Sequence, residues 1–197
     1  MTAIPMPEPI ATPWTLPRRG PVGILLFILA ETAIFGVFVT TYLYYIGRSL
    51  TGPTPAEVLH FPVAMTVSLL SSSLTIHQAN RALRRGATAR FLGFWLATIL
   101  LGAGFLLGTA REWHELIVEH HLTITTNLFG STYYALVGLH ASHVIAGMTM
   151  LLIVAALGLT GRVRPVHVER TDVISMYWHF VDVVWIVVVT VVYVIGR

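Results

Sequence analysis

The chain has 197 residues, of which 55% are hydrophobic and only 11% charged, with a mean hydropathy of +0.76. A soluble domain carries about 25% charged residues, so this composition excludes a water-exposed surface and predicts one helical bundle in lipid with no separate soluble domain. Cysteine is absent, which excludes disulfides, thiolate metal sites, iron–sulfur clusters and cysteine nucleophiles. The formal charge is +3, and all twelve basic residues are Arg. They sit between apolar runs, so topology accounts for them better than nucleic-acid binding does. Arg also pairs bidentately with phosphate, which suits lipid headgroups and subunit contacts, although a bias towards Arg codons would give the same composition.

Residues 1–20 hold Pro5, Pro7, Pro9, Pro13 and Pro17 ahead of Arg18 and Arg19, and predict an extended or disordered N-terminal arm on the cytoplasmic side. The apolar stretch that follows is too long for the h-region of a signal peptide and shows no small-residue cleavage site, so the first helix is expected to be retained. About 20 apolar residues cross the hydrocarbon. Five stretches qualify: 21–47, 62–83, 90–109, 128–159 and 173–195, which predicts an all-α transmembrane domain of five helices over residues 21–197.

The second stretch is the most polar, carrying Ser68, Ser71, Ser72, Ser73, Thr75, His77 and Gln78, and is tolerable where it faces protein. The third holds the small-residue pair Gly104 and Gly108, a signal of close helix packing. The fifth is rich in Val and Ile, yet an isolated strand in lipid would leave its backbone unpaired, so it too is read as a helix. Placing the N-terminus in the cytoplasm puts nine Arg in the inner segments against three in the outer ones, with the C-terminus on the periplasmic side.

Ionisable groups inside a membrane are costly and mark function. The spans contain Glu31, His77, His140, His143, His179 and Asp182, and the i,i+3 spacing puts His140 with His143, and His179 with Asp182, on shared faces. At 1.5 Å per residue, Glu31 lies about 15 Å from the inner end of its helix and His77, His179 and Asp182 about 8–12 Å in, with His140 and His143 deeper. Three readings stand side by side: haem or metal ligation by His77 and His143, which their unequal depths disfavour; a proton relay through Glu31, His179 and Asp182; and a polar network that bonds helices together. A second cluster, Arg111, Glu112, His114, Glu115, Glu119, His120 and His121, is read as an outer loop. It is either a surface zinc or copper site of no defined spacing or simply solvated charge. Arg111 and Glu112 fall at the membrane edge, where they could hold a lipid headgroup. No phosphate loop and no nucleophile elbow is present, so no autonomous catalytic centre is expected.

The segment Tyr177-Trp178-His179-Phe180-Val181-Asp182-Val183-Val184-Trp185 resembles subunit III of the haem–copper respiratory oxidases. Other motifs agree in order. Gly130-Ser131-Thr132-Tyr133-Tyr134 and Gly138-Leu139-His140-Ala141-Ser142-His143-Val144 look like that family's glycine–serine–aromatic stretch and histidine pair. Glu31 within Ala30-Glu31-Thr32-Ala33-Ile34-Phe35 matches its buried glutamate, His77 its histidine in the next helix, and Glu112-Trp113 its Glu-aromatic pair, with Trp in place of the usual Tyr. The likeness covers residues 21–197 and is most specific in the last 70.

The long form of this family has seven helices, so the resemblance implies a five-helix bacterial form without the first two. Lipid sites in the cleft beside those helices do not carry over intact. The resemblance further implies a subunit with no haem or copper of its own, packed against oxidase subunit I, with subunit II and small subunits nearby. Haem and copper are expected in those partners, and a structural phospholipid beside this chain. The subunit would support proton uptake and protect the catalytic centre while O2 is reduced to water, in a bacterial plasma membrane and without nucleic acid. Arg111, Glu112, Trp113, Trp178 and Trp185 are the candidates for lipid or subunit contact. A quinol oxidase or a nitric oxide reductase subunit is the alternative within the family, and a stand-alone proton-coupled transporter the alternative outside it. The transporter reading lacks the inverted repeat and broken helices of that class.

Overall fold

Backbone amides in hydrocarbon have no water to bond, so a lipid-embedded chain closes its hydrogen bonds within helices. The computed structural model describes residues 19–49 and 51–196, and these residues form helices with no strand. Most of the proline-rich arm, with Arg18, lies outside the described residues, as does Arg197. In chain order the elements are α1 (Arg19–Tyr45), a short α2 (Pro55–Val58), α3 (Val63–Arg84), α4 (Thr88–Val118), α5 (Leu128–Leu159), a 3-10 turn (Pro165–His167) and α6 (Val168–Val189). A π-helical segment, Thr190–Ile195, continues α6. Four helical stretches are long and apolar enough to cross a membrane: Val22–Tyr45, Thr88–Val118, Leu128–Leu159 and Pro165–Ile195. At 22 residues α3 is also about 33 Å long, but its Ser, Thr and Gln content leaves it less apolar.

Two helices run differently from the apolar stretches that announce them. The third stretch ends at 109, whereas α4 continues to Val118. Arg111, Glu112, Trp113, His114 and Glu115 therefore stand on helix rather than in a loop, a correction to the sequence reading. The apolar run reports where hydrocarbon stops, whereas the helix is carried further by Leu116, which is buried at 1% exposure against the core. Likewise α6 starts at Val168 instead of 173, because the polar turn around Glu169, Arg170 and Asp172 is helical outside the apolar zone.

The packing is organised around α6, the most enclosed helix; α1 is the least enclosed. α3 and α4 form a tight antiparallel hairpin turned by Gly86, whose φ of +74° places it in the left-handed region that favours glycine. Ser68 and Met65 of α3 seat against Gly104 and Gly108 of α4, so the small-residue pair marks the hairpin's contact line. Three tryptophans, Trp95, Trp178 and Trp185, are wholly buried. The Trp178 indole is flanked by Gly102 of α4 and Gly147 of α5, either of which would press a side chain into the ring. Its Nε1–H donates to Ser72 Oγ at 2.7 Å, while Trp95 Nε1–H donates to the Leu151 carbonyl at 2.9 Å. Each indole thus contributes apolar area and a satisfied polar end.

Candidate functional site

The intramembrane ionisable residues separate into pairs on different helix seams. On the α1–α5 seam, Glu31 Oε2 lies 3.0 Å from His143 Nε2, both side chains being largely buried. His143 Nδ1 is 2.8 Å from the Leu139 carbonyl, which can only accept, so Nδ1 carries a proton. Nε2 then meets Glu31 either as acceptor of its acid proton or as the second N–H of an imidazolium, and the pair shares one proton in both cases. Phe35 packs over the His143 ring at 5.0 Å, and Tyr177 OH donates to the His143 carbonyl at 3.0 Å.

On the α3–α6 seam, Ser73 joins His179 and Asp182. The Ser73 hydroxyl donates to Asp182 Oδ2, and His179 Nδ1 lies 2.8 Å from Ser73 Oγ, in place to donate to it. Asp182 is 3% exposed. Nearer the Arg-rich end of the same seam, Arg84 pairs with Asp172 at 2.5 Å. Asn80 Nδ2 donates to Asp172 Oδ1 at 3.0 Å and to Ser175 Oγ at 2.8 Å. At the opposite end of the bundle, Tyr193 of the π-helical segment donates from its hydroxyl to Glu112 Oε1 at 2.8 Å, with Tyr133 OH 3.5 Å from Tyr193 OH.

The remaining candidates fall elsewhere. His77 is exposed on α3 and takes no part in a buried bond among the described residues. His140 is wholly buried in an aromatic box, stacked on Trp185 at 5.0 Å and edge-on to Phe105 at 5.5 Å. Neither of its ring nitrogens finds a hydrogen-bond partner among the described residues. Trp178 and Trp185 are enclosed by this chain's own helices, with the Trp185 Nε1–H donating to Thr66 Oγ1 at 3.2 Å. They pack between helices rather than against lipid or another subunit, which corrects that expectation. Arg111 is exposed and Trp113 half-buried against Tyr134, ring centres 5.4 Å apart.

Among the described residues no three His, Asp or Glu side chains converge as metal ligands. A groove of about 610 Å³ runs between α1 and α6, lined almost wholly by apolar side chains, with Thr32 and His179 its polar points. Chemically, this arrangement can hold and pass protons over short distances and can tie helices together. Ser73, Asn80, Asp172 and Tyr193 were not singled out by sequence reasoning. Ser73 and Asn80 are seven residues apart, as are Asp172 and His179, so two helical turns align each pair on one face and mark the polar seam.

Residues 18–197 match the sequence family described as cytochrome c oxidase subunit III. The chain is 33% identical to cytochrome c oxidase subunit 3 of Alkalihalophilus pseudofirmus, covering 88% of this chain and 85% of that protein. It is 36% identical to cytochrome c oxidase subunit 3 of Bacillus sp. strain PS3, over 88% and 84%. It is also 32% identical to cytochrome bo(3) ubiquinol oxidase subunit 3 of Pseudomonas aeruginosa, over 88% and 84%.

Proposed function

The chain belongs to the cytochrome c oxidase subunit III family, and from that membership we propose that it is the non-catalytic subunit III of a proton-pumping cytochrome c oxidase. Its relatives are third subunits of haem–copper oxidases, proteins that work as parts of a multisubunit complex. The observation that carries the reading is the family match across residues 18–197, which takes in the whole described bundle. The buried polar groups are consistent with it, since they bond helix to helix on the α1–α5, α3–α6 and α4–α6 contacts.

In this reading α3 crosses the membrane as a fifth span, its polar residues turned largely towards α4 and α6 by Ser68, Ser72, Ser73, Thr75 and Asn80. The Arg-rich end of the bundle faces the cytoplasm of a bacterial plasma membrane by the excess of Arg in its short loops. Haem and copper reside in partner subunits. Subunit I packs directly on this chain, with subunit II in the same assembly and phospholipid filling apolar grooves. The contribution of the chain is to stabilise the catalytic subunit and support its proton uptake while O2 is reduced to water. A quinol oxidase is the second reading, supported by the bo(3) ubiquinol oxidase relatives.

Affinity purification of the tagged chain from its native membrane tests the proposal. The expected result is co-purification with a haem–copper subunit whose optical spectrum is unchanged by Glu31→Ala or Asp182→Ala. Those variants should instead lose the activity faster during turnover, or lose the partner. An unsubstituted chain that purifies with no haem–copper subunit, or a spectrum altered by either substitution in the intact complex, defeats it.

A further inference from the structure

Four polar side chains of α6, Asp172, Ser175, His179 and Asp182, follow one another at three- and four-residue intervals and so line one face. Across from them α3 presents Asn80 and Ser73, with His77 between these two in sequence. The ten residues from Asp172 to Asp182 rise about 15 Å. At the Arg-rich end this row opens on a cavity of about 440 Å³ lined by Arg84, Glu169, Asp172 and Met176, among others. The Asp172 side chain keeps 30% of its exposure there. Arg84 and Asn80 grip one carboxylate oxygen each, so the group is fixed at the cavity wall. At the other end Asp182 is enclosed, and the next turn of α6 is Trp185, Val188 and Val189, all buried and apolar. The row therefore has a mouth at Asp172 and a closed end at Asp182, with His179 between them bordering the α1–α6 groove.

We propose that the α3–α6 seam is a dead-end proton-access path, which loads Asp182 from the Arg-rich end of the bundle and returns the proton by the same route. Asp172 takes up the proton at the mouth, and His77, four residues from Ser73 on α3, carries it towards His179. The last step balances within three residues. A proton bound at His179 Nε2 gives an imidazolium; its Nδ1–H proton moves to Ser73 Oγ as the Ser73 proton moves to Asp182 Oδ2. The result is a neutral imidazole with the proton on Nε2, an intact serine hydroxyl and a carboxylic acid. One O–H or N–H bond forms for each that breaks. Asn80 and Ser175 take no proton: the amide does not titrate and only donates its N–H groups, and Ser175 donates to the Thr171 carbonyl at 2.9 Å. They are positioning residues for Asp172. Ser73 of α3 bonds both Asp182 and His179, and the exposed His77 of α3 lies within electrostatic range of His179, while Glu31 of α1 is engaged with His143 of α5 on a separate seam.

A reversible store of this kind would give the proton-uptake support proposed above a physical seat, and it rests on that reading for its purpose. Its test needs this chain alone, so the two can fail separately. The full chain in lipid nanodiscs is transferred rapidly between H2O and D2O buffers at a series of pH values, and infrared spectroscopy follows the carboxylic acid C=O band that Asp182→Asn removes. The expected result is that Asp172→Asn and His77→Phe each slow deuteration of that band by about tenfold or more, because a positioned proton-transfer group accelerates transfer by about 10²–10⁴. Glu31→Gln, on the other seam, should leave it unchanged. Equal exchange rates in all variants would overturn the path and point to entry from the α1–α6 groove. So would the absence, at every pH, of any band that Asp182→Asn abolishes. A purely structural seam predicts altered thermal stability in the variants with no change in exchange rate.

Discussion

Replacing Gly147 by Ala tests whether the Trp178 slot fixes the approach of α5 to α6. A Cβ built at Gly147 would lie 2.8 Å from Trp178 Cε3, 2.9 Å from Cζ3 and 3.2 Å from Tyr177 Cε1. Ordinary contact begins at 3.4 Å, so the indole must retreat by 3.4 − 2.8 = 0.6 Å. Retreat is blocked in two ways. On the α4 side Gly102 is close enough that its own Cβ would reach Trp178 Cη2 at 2.9 Å, and Ser72 holds Nε1 at 2.7 Å. Overpacking of a rigid ring costs about 1–3 kcal/mol. Ala also favours the helix over Gly by up to about 1 kcal/mol, so a control is needed. Gly93 on α4 supplies it, since nothing lies within 4 Å of a Cβ built there. Unfolding of the purified chain by SDS titration in bicelles should show Gly93→Ala neutral or stabilised and Gly147→Ala below it by about 1–3 kcal/mol. If the two variants unfold alike, the slot is not rigid and the argument fails.

Two more expectations follow from single contacts. Trp178→Phe, Ser72→Ala and the double variant, measured by the same titration, should give a coupling energy of about 0.5–1.5 kcal/mol for the buried indole–hydroxyl bond; a coupling near zero would leave Ser72 Oγ only its own bond to the Leu69 carbonyl at 2.6 Å. In the loop before α3, the Glu57 carboxylate accepts from the Thr54 backbone N–H at 2.9 Å, and that backbone bond, then the Thr54 side chain, holds its pKa below the ordinary value. Because the folded-state pKa is the lower one, the cap is fully present above the ordinary carboxylate pKa and is lost as pH falls through the lowered one. Amide exchange at residues 54–58 should therefore quicken only on strong acidification, and Glu57→Gln should remove that acid step; a step persisting in the variant would assign it to another group.

The positions of the long helices were legible because hydrocarbon imposes a length and a composition on any segment that crosses it. The stretch 128–159 coincides with α5 as observed. The ends beyond the apolar zone were not legible: α4 reaches Val118 because buried Leu116 holds its last turns, and a reading of apolar runs contains no term for such a contact. The candidate polar residues were found by their cost in lipid, but that cost says nothing of partners. Glu31 meets His143 across 112 positions of sequence, and Ser73 was passed over because serine is ordinary in membrane helices. Conversely His77, alike in kind to His140, turned out exposed while His140 lies sealed between aromatic rings. Which face of a helix is inward depends on packing, and α5, which carries His140, is apolar nearly all round, so periodicity gave no inward face for that helix.

The central place of α6 bears on how the protein is made. Synthesis delivers α1, α3, α4 and α5 before α6, yet α6 is the helix the others enclose. Until it arrives, Ser72, Ser73, Asn80 and Thr66 lack the indoles and carboxylates that later engage them. The nascent chain must therefore wait in the bilayer with an open, polar-lined vacancy where the sixth helix will sit. A chain cut short before residue 168 leaves those side chains without their α6 partners, a polar surface that a complete bundle covers.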